Sequence, residues 1–483
     1  FLYISVTFCL LFLLASAFFI SYVYGIVLDA GSSHTSMFIY KWPADKQNGT
    51  GIVTQHSECH AKGGGISSYA GKPGDAAKSL EECMNHALKK IPKSRQQQTP
   101  LCLGATAGMR LLKEINPAES ERVLKEVGNK LNSYPFQFKE AKILSGQEEG
   151  AFGWVTVNYL LENFIKYGFV GHWLNPGKST IGALDLGGAS TQITFETSQY
   201  LENLESQMKL TLYGNTYTLY THSFLCYGQD QFLKRLLAHL IQTQGVSNQV
   251  INPCYPPKFN ISINLGKDVF DSVCTKKYKP ANLDAKRNVT VVGSGDYQQC
   301  VNNVTEIFTF SNCSYSMCSF DGVFQPRVTG SFMVRYEQKQ IYITNIALTS
   351  PSHAVEAAKL ICNMTITEVL IFSHELQANL TEKYMKYMKN LCSMSNFVQV
   401  LLTNGYHFDE ASFPHVSFEK DVRSSVGWAL GYMLEVSNKV PAESLSMMKA
   451  LPSGPWTGVI IILTTFVLFA LVYCLMIYRN AND

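Results

Sequence analysis

One pattern occurs twice in this chain and restricts its fold more than any other feature. An apolar run, Gly25-Ile26-Val27-Leu28, meets Asp29-Ala30-Gly31-Ser32-Ser33-His34-Thr35 and resumes as Met37-Phe38-Ile39-Tyr40. Further on, Leu184-Asp185-Leu186-Gly187-Gly188-Ala189-Ser190-Thr191-Gln192 leads into Ile193-Thr194-Phe195. Each reads as strand, tight turn, strand, with a carboxylate entering the turn. A single loop of this kind would pass for an ordinary hairpin tip; two imply duplicated lobes that face each other. Glycines let backbone N–H groups converge on an anion, and Ser and Thr hydroxyls add donors. Asp29 and Asp185 would repel a phosphate directly, but they can hold a divalent cation through water that bridges to it. The two tips together read as a clasp for a metal-bound polyphosphate.

The surrounding chain mixes element types. Asp75–Ile91 reads as a helix with Leu80, Cys83, Ala87 and Leu88 on one side. Pro100–Thr106 reads as a buried strand that turns into a helix through Gly104–Arg110, and Pro117–Asn132 as another helix. Strand-turn-helix units among hairpins predict an α/β fold with a sheet in each lobe, and 483 residues exceed one typical core. The stretch from Asn248 to Cys318 reads as loop-rich and stapled by cysteines. Net charge is +3, from 40 basic and 37 acidic residues, which argues against nucleic acid as a partner.

Two segments look like membrane helices, residues 1–22 and Trp456–Tyr478, each uncharged and long enough for a hydrocarbon core of about 30 Å. A cleaved signal peptide is the alternative for the first. Between them lie 11 of the 13 cysteines, since Cys9 and Cys474 fall in the spans. That density suits disulfides in an oxidising compartment. Cys59–Cys83 and Cys313–Cys318 are plausible short-range pairs, although sequence does not fix connectivity. The odd count leaves one thiol over, and Cys102, in the buried-looking strand, is the candidate. Seven Asn-X-Ser/Thr sites (Asn48, Asn260, Asn288, Asn303, Asn312, Asn363 and Asn379) also place the middle of the chain outside the cell or in a lumen.

Three more places carry possible chemistry. Ser145–Trp154 puts Glu148 and Glu149 at a turn, where a carboxylate could activate water for phosphoryl transfer; a solvated acidic helix start is the plainer reading. Thr106 sits among small residues at a strand end, as a packed turn would also require. Gly171–Thr180 resembles a phosphate-binding P-loop but has five residues between its glycines instead of four, including Trp173 and Pro176, so it reads as a surface loop. His34 reads as a phosphate-contacting donor, and His222, His239 and His407 as structural.

Taken in order, Asp29–Thr35, Gly104–Arg110, Gly146–Trp154, Asp185–Gln192 and Gly427–Leu434 resemble the motifs of the ecto-nucleoside triphosphate diphosphohydrolases, the ecto-apyrase family. The likeness covers most of the chain and is nearest the type two, ATPase-like cell-surface members. It implies a two-lobed actin/Hsp70/hexokinase-like ectodomain between two transmembrane helices. Residues 23–146 would form the first lobe and 147–418 the second; 419–453 would return to the first, flanked by membrane helices at 1–22 and 456–478. The resemblance implies Glu149 as catalytic base, with Ser190 and Gln192 positioning the attacking water. It implies phosphate contacts from Ser32, Ser33 and His34 and from the backbone of Gly187, Gly188 and Ala189. Asp29 and Asp185 would bind Ca²⁺ or Mg²⁺ through water, with Thr106 and Trp428 in the metal-water shell. It also implies the disulfides Cys59–Cys83, Cys226–Cys274, Cys254–Cys300, Cys313–Cys318 and Cys362–Cys392, with Cys102 spare. The expected protein is a multi-pass cell-membrane enzyme acting on extracellular ATP and other nucleotides, with homo-oligomers favoured by its paired spans.

Two places depart from that family. After Phe320–Phe332 it continues with an aromatic helix, where this chain has Met333–Ser352, and Leu391 stands before Cys392 in place of a tyrosine. Those positions supply the aromatic pair around the base, with Tyr387 a conceivable substitute. A lost aromatic stack is worth roughly 0.5–1.5 kcal/mol and would mainly raise KM. Two other classes fit the residues: a kinase passing phosphate to an acceptor, and a glycosylated nucleotide-binding or adhesion protein without turnover. Product analysis and phosphate release separate them.

Overall fold

The apolar run before Asp29 becomes β1 (Tyr22–Ala30) and the run after it β2 (Thr35–Pro43), paired antiparallel from Tyr22–Pro43 to Ala30–Thr35. β3 (Thr54–His60) extends this hairpin antiparallel, while β4 (Pro100–Ala105) and β5 (Gln137–Ile143) add parallel on the far side of β1. The order is β3-β2-β1-β4-β5. β4 is buried throughout, as a parallel strand covered on both faces must be. This computed structural model describes residues 22–44, 46–168, 173–336, 350–376, 388–418, 427–442 and 453–480.

The second sheet retraces the first. A short hairpin, β6 (Lys166–Tyr167) with β7 (Trp173–Leu174), precedes β8 (Gly182–Leu186) and β9 (Ser190–Glu196), the strands of the second Asp-Gly hairpin. β10 (Gln207–Leu212) and β11 (Asn215–Leu225) continue it antiparallel. A separate sheet of β12 (Gln249–Asn252), β13 (Asn260–Asn264) and β14 (Asn288–Gly293) follows. The chain then adds β15 (Phe332–Tyr336) and β16 (Val416–Phe418) parallel beside β8. The order β11-β9-β8-β15-β16 repeats β3-β2-β1-β4-β5 strand for strand, with β10 as an extra edge. The duplicated turn pattern therefore sits in a duplicated sheet.

Two sequence expectations need correction. Asp75–Ile91 is two helices, α1 (Asp75–Ser79) and α2 (Glu81–Lys90), because the chain tightens where the Leu80 N–H bonds Ala77 and buries the leucine side chain. The stretch from Asn248 to Cys318 is more than stapled loop. It holds the β12-β14-β13 sheet, whose Val250, Ile263, Val289 and Val291 are buried in the same core as Leu184 and Ile193 of the second Asp-Gly hairpin. α3 (Ala107–Ile115) follows β4 directly. Pro117–Asn132 forms α4 with the expected bounds. Its cap is Asn116, whose side chain accepts the Glu119 N–H, and Val123, Val127 and Leu131 line its buried face.

Two helices tie the sheets together. α5 (Gly146–Leu160) lies on β9 and β11, so close that a Cβ at Gly150 would meet the Thr194 and Thr221 hydroxyls at 2.5 and 2.7 Å. Beyond α6 (Gln229–Gln244), α7 (Tyr297–Thr305), α8 (Pro351–Asn363) and α9 (Leu391–Val400), α10 (Trp428–Lys439) crosses α5 and reaches back to the first sheet. Met433 covers Gly25 of β1, and the Trp428 ring covers Gly104 of β4.

Five disulfides join Cys59–Cys83, Cys226–Cys274, Cys254–Cys300, Cys313–Cys318 and Cys362–Cys392, the pairs the resemblance implies. Cys102 is buried in β4 and unpaired, and burial pushes its thiol up to about 11. Asn48, Asn260, Asn288, Asn312 and Asn363 are exposed and Asn303 half-buried, while Asn379 lies outside the described residues. Residues 1–21 also lie outside them. The C-terminal candidate is a helix, α11 (Ser453–Asn480), with Ile461, Ile462, Phe469 and Met476 exposed. Taken over described side chains alone, no helix is long and apolar enough to cross a membrane; over its full sequence α11 carries no charge before Arg479.

Candidate active site

The two hairpin tips meet. A Cβ at Gly188 in the second tip would stand 2.7 Å from the Ser32 hydroxyl in the first. The second tip is held from behind by the start of α6. The carbonyl of Gly187 accepts from the Gln229 N–H (2.9 Å), that of Gly188 from Asp230 (2.9 Å) and that of Ala189 from Cys226 (2.9 Å). A trans peptide points its N–H opposite to its C=O, and no cis bond occurs among the described residues. The N–H groups of Gly188, Ala189 and Ser190 therefore turn away from α6. In the first tip the Ser33 hydroxyl bonds His34 Nδ1 at 2.9 Å, and the His34 ring is exposed.

The adjacent glutamates take opposite roles. Glu148 closes the helix cap: it accepts from the Ser145 N–H (2.9 Å), Ser145 Oγ accepts from its own N–H (3.1 Å), and Lys142 pairs with it at 3.0 Å. Glu149, one position on, is buried and faces the second sheet. Arg110 Nη2 of α3 donates to Glu149 Oε2 at 2.7 Å and to Ser190 Oγ at 3.0 Å. Gln192 Nε2 donates to Ser190 Oγ (2.6 Å) and Ser223 Oγ (2.9 Å). Gln192 Oε1 and Arg110 Nη1 are buried without a partner among the described residues, the residue a water molecule would satisfy. Burial pushes the Glu149 carboxyl above its ordinary range; Arg110 pulls it back, and the Asp185 charge pushes it up again.

Asp29 and Asp185 occupy equivalent ends of β1 and β8. Burial raises Asp29 to about 7, with Arg335 opposing this and the charges of Glu149 and Asp185 adding to it. The Trp428 indole N–H acts to lower it, although among the described residues it makes no full hydrogen bond. Asp185 Oδ1 is buried with no partner among the described residues, and Oδ2 is taken by Arg335 Nη1 at 3.2 Å. Three carboxylates that repel one another, one with a bare oxygen, suit a divalent cation. Thr106 is buried at the N-terminus of α3, its N–H bonded to the Ala30 carbonyl at 3.1 Å.

The model of the GDA1/CD39 (nucleoside phosphatase) family matches residues 20–450. The chain belongs to this family. Human ectonucleoside triphosphate diphosphohydrolase 2 is 50% identical over 467 residues, covering 95% of this chain and 91% of that protein. The Gallus gallus protein of the same name is 46% identical over 469 residues, covering 96% and 92%. Among solved structures, a nucleoside triphosphate hydrolase from Neospora caninum shares the fold at a TM-score of 0.64 and 15% identity, covering 92% of this chain and 98% of that one. This GDA1/CD39 chain is an enzyme, and its chemistry is hydrolysis of nucleotide phosphates.

For a GDA1/CD39 member, the structure adds residues that sequence reading passed over. Arg110 ends the Gly104–Arg110 motif one helical turn beyond Thr106, a spacing that puts both on one side of α3 and could have drawn attention to it. Ser223 on β11 pairs with Gln192 in the strand register, which no local pattern reveals. The histidines read as structural are so placed: His222 packs edge-on to Phe224 with burial pushing it down to about 4, His239 meets Glu306 at 3.0 Å, and His407 bonds the Cys318 carbonyl at 2.7 Å. Leu391 is buried in the core that packs on the second sheet, and Tyr387 lies outside the described residues.

Proposed function

We propose that this chain hydrolyses the terminal phosphate of extracellular nucleoside triphosphates, and less readily diphosphates, by one-step in-line attack of water. What carries the reading is the buried Glu149, held by Arg110 beside Ser190 and Gln192 and next to two apposed phosphate-loop tips. Ser32, Ser33 and His34 hold the phosphate from one side, and the N–H groups of Gly188 and Ala189 from the other; Gly187, expected to join them, spends its N–H on the Ser190 carbonyl at 3.1 Å and shapes the turn. Ser190 and Gln192 orient the water, and Glu149 takes its proton, for which a raised pKa suits it. Asp29 and Asp185 would hold Ca²⁺ or Mg²⁺, with Thr106 and Trp428 beside them. The cation supplies charge neutralisation for the phosphates.

In this reading residues 1–22 and 456–478 anchor the protein in the cell membrane with the lobes outside, and the enzyme removes nucleotides used in purinergic signalling. The test is phosphate release from ATP and ADP by intact cells expressing the chain, with Ca²⁺ or with EDTA. Release that EDTA abolishes is expected. Release that survives EDTA would discard the metal site, and release only after lysis would discard the topology.

Arg110 gives a pH prediction. Its charge lowers the Glu149 pKa, so Arg110→Met raises that pKa. The base is active when deprotonated, so the acid limb of the pH–rate profile should move to higher pH as kcat falls. An unmoved limb would separate Arg110 from the base.

A further inference from the structure

The two metal-facing aspartates have unlike neighbours. In the first sheet Asp29 pairs with Gly104 of β4, and in the second Asp185 pairs with Arg335 of β15. The two positions are equivalent in the repeated strand order. Gly104 must stay bare, because a Cβ there would meet the Trp428 ring at 2.3 Å. Arg335 instead places a guanidinium against a carboxylate at 3.2 Å, with both side chains largely buried, 18% and 10% exposed. Its charge reaches beyond that pair, acting on Asp29 and on Glu149 as well. Arg335 also falls in Met333–Ser352, the stretch that departs from the family pattern.

We propose that Arg335 is an internal counter-ion that competes with the divalent cation for Asp185, so that metal binding in this chain is weakened by a guanidinium already resting on that carboxylate. The inference rests on the metal-site reading above. Among the described residues the carboxylates of Asp29, Asp185 and Glu149 face the guanidiniums of Arg110 and Arg335, so Arg335 offsets one unit of the negative charge that the cation meets. A divalent cation gains less from the smaller charge, and it loses one carboxylate oxygen unless Arg335 moves aside. Asp185 Oδ1 has no partner among the described residues, so binding is weakened and not abolished.

The test is calorimetric titration of Ca²⁺, without nucleotide, into the purified full chain in detergent. Arg335→Met should bind Ca²⁺ about tenfold more tightly than wild type, the size of one charge-assisted contact. Arg335→Gln, a smaller neutral side chain, should do the same and serves if the Met variant fails to fold in β15. Arg335→Lys keeps the charge and should stay near wild type. Addition of Ca²⁺ should raise the Tm of the neutral variants more than that of wild type. Asp185→Asn in the Arg335→Met background should abolish the gain. Neutral variants that bind as wild type does, while Asp185→Asn still weakens binding, overturn the role of Arg335 alone. If Asp185→Asn leaves Ca²⁺ binding unchanged, the cation sits elsewhere, and the metal-site reading fails with the proposal.

Discussion

Glu149→Gln should lower ATP turnover by about 10³-fold, within the range for loss of a general base, with little change in folding. Gln has the same shape and can still accept the Arg110 N–H that now bonds Oε2 at 2.7 Å. What it loses is the ability to take a proton from water. Stability should change little, because the carboxylate is already opposed by burial, although Arg110 loses a counter-charge. The neighbouring Glu148→Gln is an internal control. Its side chain caps α5 and pairs with Lys142; Gln can still accept the Ser145 N–H and loses only the ion pair, so the change should cost about 0.5 kcal/mol of stability and leave the rate within a few fold. Phosphate release by purified protein, with circular dichroism to check folding, reads both variants. A Glu149→Gln enzyme as fast as wild type would remove Glu149 from the chemistry.

That contrast shows what the sequence carried and what it did not. Glu148 and Glu149 are adjacent and chemically alike, yet a helix turns about 100° per residue. Their fates differ only because β9 and β11 lie against one side of α5, a long-range fact. The hairpins were legible for the opposite reason: an apolar run, an Asp, glycines and hydroxyl residues leave few conformations, and repetition implied a second lobe. The strand order then followed the repeat. The short strands β12 to β14 were hidden because four to six residues among cysteines and charged residues show little periodicity. Arg110 was visible at the end of a motif, but nothing local tells a helix-start arginine in solvent from one aimed at a buried glutamate. Arg335 depends wholly on parallel register with β8, which connects residues 150 positions apart.

Gly228→Ala should cost the most activity of any change outside the reacting groups, about 10²-fold, with about 1–3 kcal/mol of stability. Gly228 is the N-cap of α6 with φ −74° and ψ 162°, angles that alanine adopts freely, so backbone strain plays no part. Capping does not call for glycine either, since Ser, Asp or Asn would serve as well. The constraint is space. A Cβ would lie 2.3 Å from the Ala189 nitrogen and 2.4 Å from Gly188 C and the Ser190 nitrogen, all backbone atoms of the phosphate loop. To reach ordinary contact the loop must retreat by about 1 Å, the scale of misplacement that costs about 10²-fold in rate. The loop also accepts the first N–H groups of α6, so it cannot retreat without loosening the helix start, and stability falls with activity. Gly153→Ala is the matched control, inside α5, where no described residue beyond the helix's own neighbouring backbone lies within 4 Å of its would-be Cβ. It should leave the rate unchanged and add up to about 1 kcal/mol of stability. Weaker binding of a non-hydrolysable ATP analogue to Gly228→Ala would show that the loop has moved off the phosphate. If Gly228→Ala keeps full activity, the N–H groups of Gly188 and Ala189 do not hold the phosphate.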